Sequence, residues 1–166
     1  WKAIQPIFAE SFRIHEEDTF YAILPTATQY ARNAIFAGLL PIDIEKQFPV
    51  QWKNDDEEGG KNLHEEEFLK AQLKRLGKGD IKYSYTKITN NNDGQKLVDN
   101  IHNLLQNDFN VIVYNFVDML SHARTEMEVL KELAGDETSY RSITESWFTH
   151  SPLHAALKKI AEKKLT

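Results

Sequence analysis

Short apolar runs alternate along this chain with segments whose apolar residues recur at helical spacing. Residues 109–117 form the most continuous apolar run, which predicts a central strand buried on both faces. Residues 19–24 and 81–88 also favour strands, and the second has one wetter face because lysines and hydroxyls alternate with isoleucine and tyrosine. A helical pattern follows each run. The alternation predicts an α/β fold with a mainly parallel sheet flanked by helices.

The other elements are predicted from periodicity and from residues that start and stop helices. Gly38 and Gly77 each stand where a helical pattern ends, which is typical of a helix C-terminus. Residues 12–14 predict one more short strand. The predicted helices cover residues 1–12, 28–38, 42–48, 63–76, 95–106, 127–133, 138–149 and a last segment from Pro152.

Residues 24–41 contain the first candidate for chemistry. Pro25 ends the preceding apolar run, and either Thr26 or Thr28 can cap the helix that follows. Unpaired amides and the helix dipole favour a negative group at that end. A Thr28 hydroxyl there can act as a nucleophile towards phosphorus while the helix end receives phosphate oxygens. The alternative is that both threonines only cap the helix.

Asp118 and His122 form the second candidate. Asp118 follows the most apolar run, and ligands collect at the carboxyl ends of the strands in open α/β sheets. If the chain turns helical there, residues four positions apart project to one side and can share a zinc or manganese ion. The alternative is a capping aspartate followed by a surface histidine.

Other polar clusters favour ordinary structural roles. His15 lies beside three acidic residues, which resembles a weak metal cluster but is typical of a solvated turn. The acidic, glycine-containing stretch at residues 53–62 is interpreted as a mobile surface loop. His150 and His154 are spaced as metal ligands could be, but Ser151 and Pro152 between them predict a helix start.

The composition limits the classes of function. The 166 residues are 41% hydrophobic, which is enough for one globular domain with a buried core. The absence of cysteine excludes disulfides and thiolate metal sites. A net charge of −5 argues against general nucleic-acid binding, which depends on neutralising phosphates. No apolar run approaches the roughly twenty residues of a membrane span, so we expect a cytoplasmic protein without membrane contact.

Two motifs resemble those of a known superfamily. The segment from Pro25-Thr26-Ala27-Thr28 to Gly38-Leu39-Leu40-Pro41 is similar to the nucleophile segment in the nucleotide pyrophosphatase and phosphodiesterase branch of the alkaline phosphatase superfamily. Asp118 to His122 resembles the superfamily's D-x-x-x-H metal pair. With their flanking residues, the two motifs more narrowly resemble the PglZ domain, in particular PglZ-domain response regulators of the PorX type, which are linked to type IX secretion.

The resemblance implies an alkaline-phosphatase-like fold and a zinc-dependent phosphodiesterase within a two-component response regulator. Its substrates would be nucleotide-like phosphodiesters, with cyclic oligonucleotides as one suggestion. Thr28 would be the nucleophile and a metal ligand, and Asp118 and His122 would hold the other of two zinc ions. A receiver domain preceding Trp1 and a homodimer are also implied.

Departures from the family pattern limit what this chain is expected to do alone. Ala31 stands where the branch has its phosphate-binding asparagine, which leaves Arg32 and Asn33 as candidates for substrate binding. The remaining metal ligands are expected outside residues 1–166. We therefore expect a partial domain of a longer protein, inactive as a separate piece. The alternative is a catalytically weak regulatory module that binds a signalling nucleotide or a protein partner.

Overall fold

The computed structural model describes residues 1–54, 60 and 62–163. The chain divides into two compact units, the first comprising Trp1–Glu17 with Lys82–Thr166 and the second Asp18–Ile81. Residues 55–59 and 61 of the predicted acidic loop lie outside the described part of the chain. That loop therefore stays a prediction.

The described residues form a mixed α/β structure. Its strands are β1 (Tyr83–Ile88) and β2 (Phe109–Tyr114). In chain order its helices are α1 (Gln5–Ala9), α2 (Thr28–Ala37), α3 (Pro41–Gln47), α4 (Glu65–Arg75), α5 (Asn91–Asp99), α6 (Ile101–Leu104), α7 (Phe116–Glu126), α8 (Glu128–Leu133), α9 (Glu137–Thr149) and α10 (Pro152–Glu162). No helix in the described ranges is long and apolar enough to cross a lipid bilayer.

The sheet lies in the first unit and is parallel, as the sequence predicts. β1 and β2 pair from Tyr83 opposite Phe109 to Ile88 opposite Tyr114. The core of the unit lies between the sheet and the helices, where apolar residues of α5, α6 and α10 pack against the last residue of β1. The buried members of this core are Ile88, Leu97, Val98, Ile101, Leu104 and Ala156.

β2 is shorter and less buried than its apolar run predicts. The strand ends at Tyr114 because Asn115, with φ −81° and ψ 19°, leaves the extended region and is the N-cap residue of α7. Within the described residues β2 pairs only with β1, and none of its six residues is fully buried. The prediction of a central strand buried on both faces is therefore wrong for this part of the chain.

The strands predicted at residues 12–14 and 19–24 are absent from the described structure. Phe20, Tyr21 and Leu24 are 91%, 102% and 83% exposed, and of the large apolar side chains in this segment Ile23 alone packs against the core of the second unit. Strand preference reflects packing on a half-buried pleated surface and is weak without a pairing partner. Here a strand-like sequence forms no ladder within the described part of the chain.

Most predicted helices are confirmed, and the deviations occur at two asparagines, at the N-terminus and at Met127. The helix predicted over residues 95–106 begins earlier, because the Asn90 side chain accepts from the Asp93 amide at 2.9 Å, and it is interrupted at Asn100. The helix predicted over residues 1–12 is reduced to α1. The helix predicted over residues 127–133 begins one residue later, because Met127, at φ −108° and ψ 117°, is its N-cap residue and separates it from α7.

The second unit is built from α2, α3 and α4. Gly38 ends α2 in the left-handed conformation at φ 60°, and its amide donates to the Ala34 carbonyl at 2.8 Å. Gly77 follows α4 with φ 69°, so both predicted glycine stops are confirmed. The buried core of this unit consists of Ala34, Ala37, Ile44, Trp52 and Phe68.

Candidate functional site

The second unit places Thr28 at the first position of α2. Ala27 is the N-cap residue, with φ −64° and ψ 153°, and no side chain at this position caps the helix. The predicted helix start is confirmed, whereas the alternative that a threonine serves as the cap residue is not supported. Thr28 is exposed. An accessible hydroxyl therefore lies at a helix end that favours an anionic ligand.

The next residues of α2 face the interior of the unit. Gln29 is 2% exposed, and its Nε2 has no hydrogen-bond partner among the described residues. Asn33 is 1% exposed. A substrate could contact the Asn33 side chain only after local opening, so the role of this residue in substrate binding stays a prediction.

Arg32 joins α2 to α4 through a buried carboxylate. Its Nε donates to Glu65 Oε1 at 2.7 Å, and its Nη2 lies 2.7 Å from the same oxygen. The Glu65 side chain is 1% exposed and that of Arg32 is 27% exposed. A carboxylate removed from water to this degree depends on a cation held against it. Arg32 thus has a structural role, and its predicted contact with substrate is untested.

Replacing Arg32 with methionine is expected to lower the free energy of unfolding by about 3 kcal/mol, because buried Glu65 would lose its charged partner. Arg141→Met is the matched control. Arg141 pairs with Glu137 at 2.9 Å, but these side chains are 58% and 65% exposed, so the loss should stay below about 1 kcal/mol. Urea unfolding followed by circular dichroism measures both variants. Equal decreases in the free energy of unfolding would show that the buried Arg32–Glu65 ion pair stabilises the protein no more than an exposed one.

The first unit places Asp118 and His122 on α7, close to the end of β2. As the spacing predicts, the two side chains lie on the same side of a helix, with Asp118 Oδ1 3.7 Å from His122 Nε2. They are 65% and 67% exposed. His122 Nδ1 lies 3.9 Å from Glu126 Oε1, one turn further along. A carboxylate and an imidazole are therefore presented together to solvent.

The donor atoms of Asp118 and His122 fit zinc. Bonds from zinc to carboxylate oxygen and imidazole nitrogen are about 2.0–2.2 Å long, so two such donors around a tetrahedral ion lie roughly 3.4 Å apart. The observed separation of 3.7 Å requires only a small side-chain adjustment. Among the described residues no group of three or more such side chains could hold a metal ion. The pair could therefore offer an ion at most two ligands.

A cavity of about 450 Å³ opens in the first unit where both strands end. Ile88 and Tyr114, the last residues of β1 and β2, line it together with Phe116 and Met119 of α7 and Trp147 of α9. The polar side of the cavity is formed by residues around the starts of α5 and α10 and the end of α9: Thr89, Asn90, Asn91, Ser146, His150 and Ser151. Both its size and its position at strand ends are typical of ligand sites.

The aromatic side of the cavity is a connected set of rings. The centroids of Tyr114 and Phe116 lie 6.1 Å apart, and those of Phe116 and Trp147 lie 5.9 Å apart with an interplanar angle of 30°. Burial raises the pKa of the Tyr114 phenol above its ordinary value near 10. The hydroxyl therefore stays protonated at neutral pH and keeps its hydrogen-bond donor.

A family model matches residues 2–163 and describes the PglZ alkaline phosphatase-like domain of the BREX system. The chain belongs to the PglZ family. No curated protein gave a significant match to it. The parallel strands and surrounding helices agree with the alkaline-phosphatase-like fold of a PglZ domain, whereas the narrower likeness to PorX-type response regulators stays a prediction.

Sequence reasoning missed the cavity of this PglZ domain. Phe116 was predicted as part of a strand and Trp147 as an apolar residue of a helix, and neither was assigned to a ligand site. The sequence signal that could have predicted the cavity was the parallel sheet. In a parallel pair the residues after positions 88 and 114 lie at the same edge of the sheet, where ligands bind.

Two histidines near the cavity occupy different positions in the PglZ domain. His154 lies in the first turn of α10 and its amide donates to the Ser151 hydroxyl at 3.2 Å, which confirms the predicted helix start. His150 is instead the C-cap residue of α9, where Nδ1 donates to the Ser146 carbonyl at 2.7 Å. The prediction that His150 belongs to a helix start is therefore wrong.

Proposed function

We propose that this PglZ domain takes part in metal-dependent hydrolysis of nucleotide-like phosphodiesters. Thr28 is assigned as the nucleophile, and Asp118 and His122 are assigned as zinc ligands. The observation that carries the proposal is the exposed Asp118–His122 pair, 3.7 Å apart, in a chain that belongs to an alkaline phosphatase-like family. Cyclic oligonucleotides, a receiver domain and a homodimer belong to the same proposal.

In the proposed reaction the Thr28 hydroxyl gives up its proton to solvent, and its oxygen forms a bond to phosphorus as the bond from phosphorus to the leaving oxygen breaks. The leaving oxygen takes up a proton from solvent and leaves as the alcohol. Water then cleaves the threonyl phosphate, which restores the hydroxyl and releases a phosphomonoester. The uncapped start of α2 supports this assignment because its amides favour phosphate oxygens. Zinc, when bound, supplies positive charge that favours an ionised nucleophile and offsets the charge gathered on the phosphoryl oxygens.

The residues of α7 are suited to holding and orienting a metal. Asp118 offers a hard oxygen and His122 a borderline nitrogen, a donor set that zinc accepts. Glu126 Oε1 lies 3.9 Å from His122 Nδ1, so a small side-chain movement would let it accept a hydrogen bond from Nδ1 and orient the ring with Nε2 as the ligand atom. Glu126 is accordingly a positioning residue in this proposal.

A second candidate is the regulatory module that binds a signalling nucleotide and turns over little. Two observations favour it. The cavity at the strand ends can accept a ligand without zinc. The Arg32 guanidinium is paired with buried Glu65, which makes this cation less available to a substrate phosphate.

Metal removal tests the hydrolysis proposal on the full-length natural protein. Dialysis against a chelator is expected to lower the hydrolysis of bis(p-nitrophenyl) phosphate by about 100-fold or more, and added zinc should restore it. Release of p-nitrophenol is followed by absorbance, and bound zinc by elemental analysis of the same samples. Undiminished hydrolysis by metal-free protein would contradict the proposal, whereas absence of hydrolysis from zinc-loaded protein would favour the regulatory module.

A further inference from the structure

We propose that the cavity at the ends of β1 and β2 binds an uncharged planar heteroaromatic ring, the chemistry of a nucleobase. Every residue that lines the cavity belongs to the first unit. Binding of a ring in this cavity depends neither on bound zinc nor on hydrolysis. The further statement that the ring is part of the phosphodiester substrate rests on the proposed function.

The aromatic wall offers a surface on which a ring can stack. Phe116 is 9% exposed, whereas Trp147, whose ring centroid lies 5.9 Å away, lines the same cavity and is 49% exposed. Met119, 47% exposed, adds a polarizable thioether at the same wall. Stacking on an aromatic side chain is available to every nucleobase, since each has a π-face.

The polar wall offers partners for the edge of the ring. Asn91 is exposed, and its side chain makes no hydrogen bond within the described residues, so its amide has both a donor and an acceptor to give. His150 uses Nδ1 to donate to the Ser146 carbonyl at 2.7 Å, which leaves Nε2 of the neutral ring as an acceptor. An asparagine amide matches the adjacent donor and acceptor of adenine.

The cavity has no charged side chain among the described residues of its lining, which argues against a phosphate as its ligand. The residues that line it include no aspartate, glutamate, lysine or arginine. The helices that start at the cavity are already capped, since Asn90 accepts from the Asp93 amide at 2.9 Å and the Ser151 hydroxyl accepts from the His154 amide at 3.2 Å. An anion would lose hydration there without gaining a cation. A neutral ring loses much less hydration free energy on entering the cavity.

Equilibrium dialysis of adenosine against the full-length natural protein, with a chelator present, tests the site. We expect saturable binding that ribose does not compete away. Trp147→Leu should raise the Kd about tenfold or more through loss of stacking, and Asn91→Ala several-fold through loss of edge contacts. Trp1→Leu is the matched control, because Trp1 is 56% exposed in the same unit but does not line the cavity, and its Kd should not change.

Absence of saturable adenosine binding up to millimolar concentration would overturn the inference, as would an unchanged Kd for Trp147→Leu with an intact circular dichroism spectrum. The two proposals fail separately, because adenosine carries no phosphate and the chelator removes zinc. Binding of adenosine by a protein that does not hydrolyse phosphodiesters would keep the ring site and leave the regulatory module as its function.

Discussion

Replacing Thr28 with alanine is expected to lower phosphodiester hydrolysis by the full-length natural protein at least about 1,000-fold, because the proposed nucleophile would be missing. Thr28 is exposed and begins α2 without capping it. The free energy of unfolding should therefore change by no more than about 0.5 kcal/mol. A large loss of rate with unchanged stability would assign the effect to chemistry.

Thr26→Ala is the matched control for this prediction. Thr26 is also an exposed threonine, two positions earlier and before the helix begins, so its variant should retain hydrolysis within about twofold. Thr28→Ser keeps a hydroxyl at the same position and should recover part of the lost rate. If Thr28→Ala and Thr26→Ala hydrolyse the substrate at the parental rate, Thr28 is not the nucleophile.

Replacing Asp118 with asparagine or His122 with glutamine is expected to lower hydrolysis by about 100-fold or more and to remove the zinc ion that these two residues would hold. Loss of an outer partner of a metal ligand already costs about 10–100-fold, and loss of a ligand should cost at least as much. The side chains are 65% and 67% exposed, so the substitutions should leave the fold intact. Elemental analysis after gel filtration measures the zinc, and p-nitrophenol release measures the hydrolysis.

Two glutamate variants serve as comparisons for Asp118→Asn and His122→Gln. Glu126→Gln removes the carboxylate 3.9 Å from His122 and should have a smaller effect, about tenfold, that partly recovers at high zinc concentration. Glu128→Gln alters an 83% exposed residue that pairs with Lys131 on α8, and should change neither quantity. Equal zinc content in all four variants would remove Asp118 and His122 from the metal site.

The hydrolysis and binding experiments together distinguish an enzyme from a regulatory module. Thr28 and the Asp118–His122 pair matter only if phosphoester bonds are broken, whereas Trp147 and Asn91 matter for ring binding in either case. The stability effect of Arg32 is separate again, because the contact with Glu65 holds α2 against α4 within the second unit.

Local sequence was a reliable guide to helices and a poor one to strands. α2 and α4 were predicted from apolar spacing and from the glycines that end them, since helix hydrogen bonds and their stop signals lie within a few residues of each other. Residues 19–24 have the same kind of strand composition as β1, yet form no ladder within the described residues. A strand needs a partner from elsewhere in the chain, and composition does not supply one.

The sequence by itself determined the PglZ family, through a match that extends over residues 2–163. It also determined the helix that begins at Thr28 and the spacing that puts Asp118 and His122 on one side of α7, because these two features depend on neighbours within a turn or two. Only the tertiary structure decided that Arg32 meets Glu65, 33 positions away, and that residues after two separate strands enclose a cavity. Burial and pairing over such distances depend on how whole elements pack, and no local pattern of residues encodes that packing.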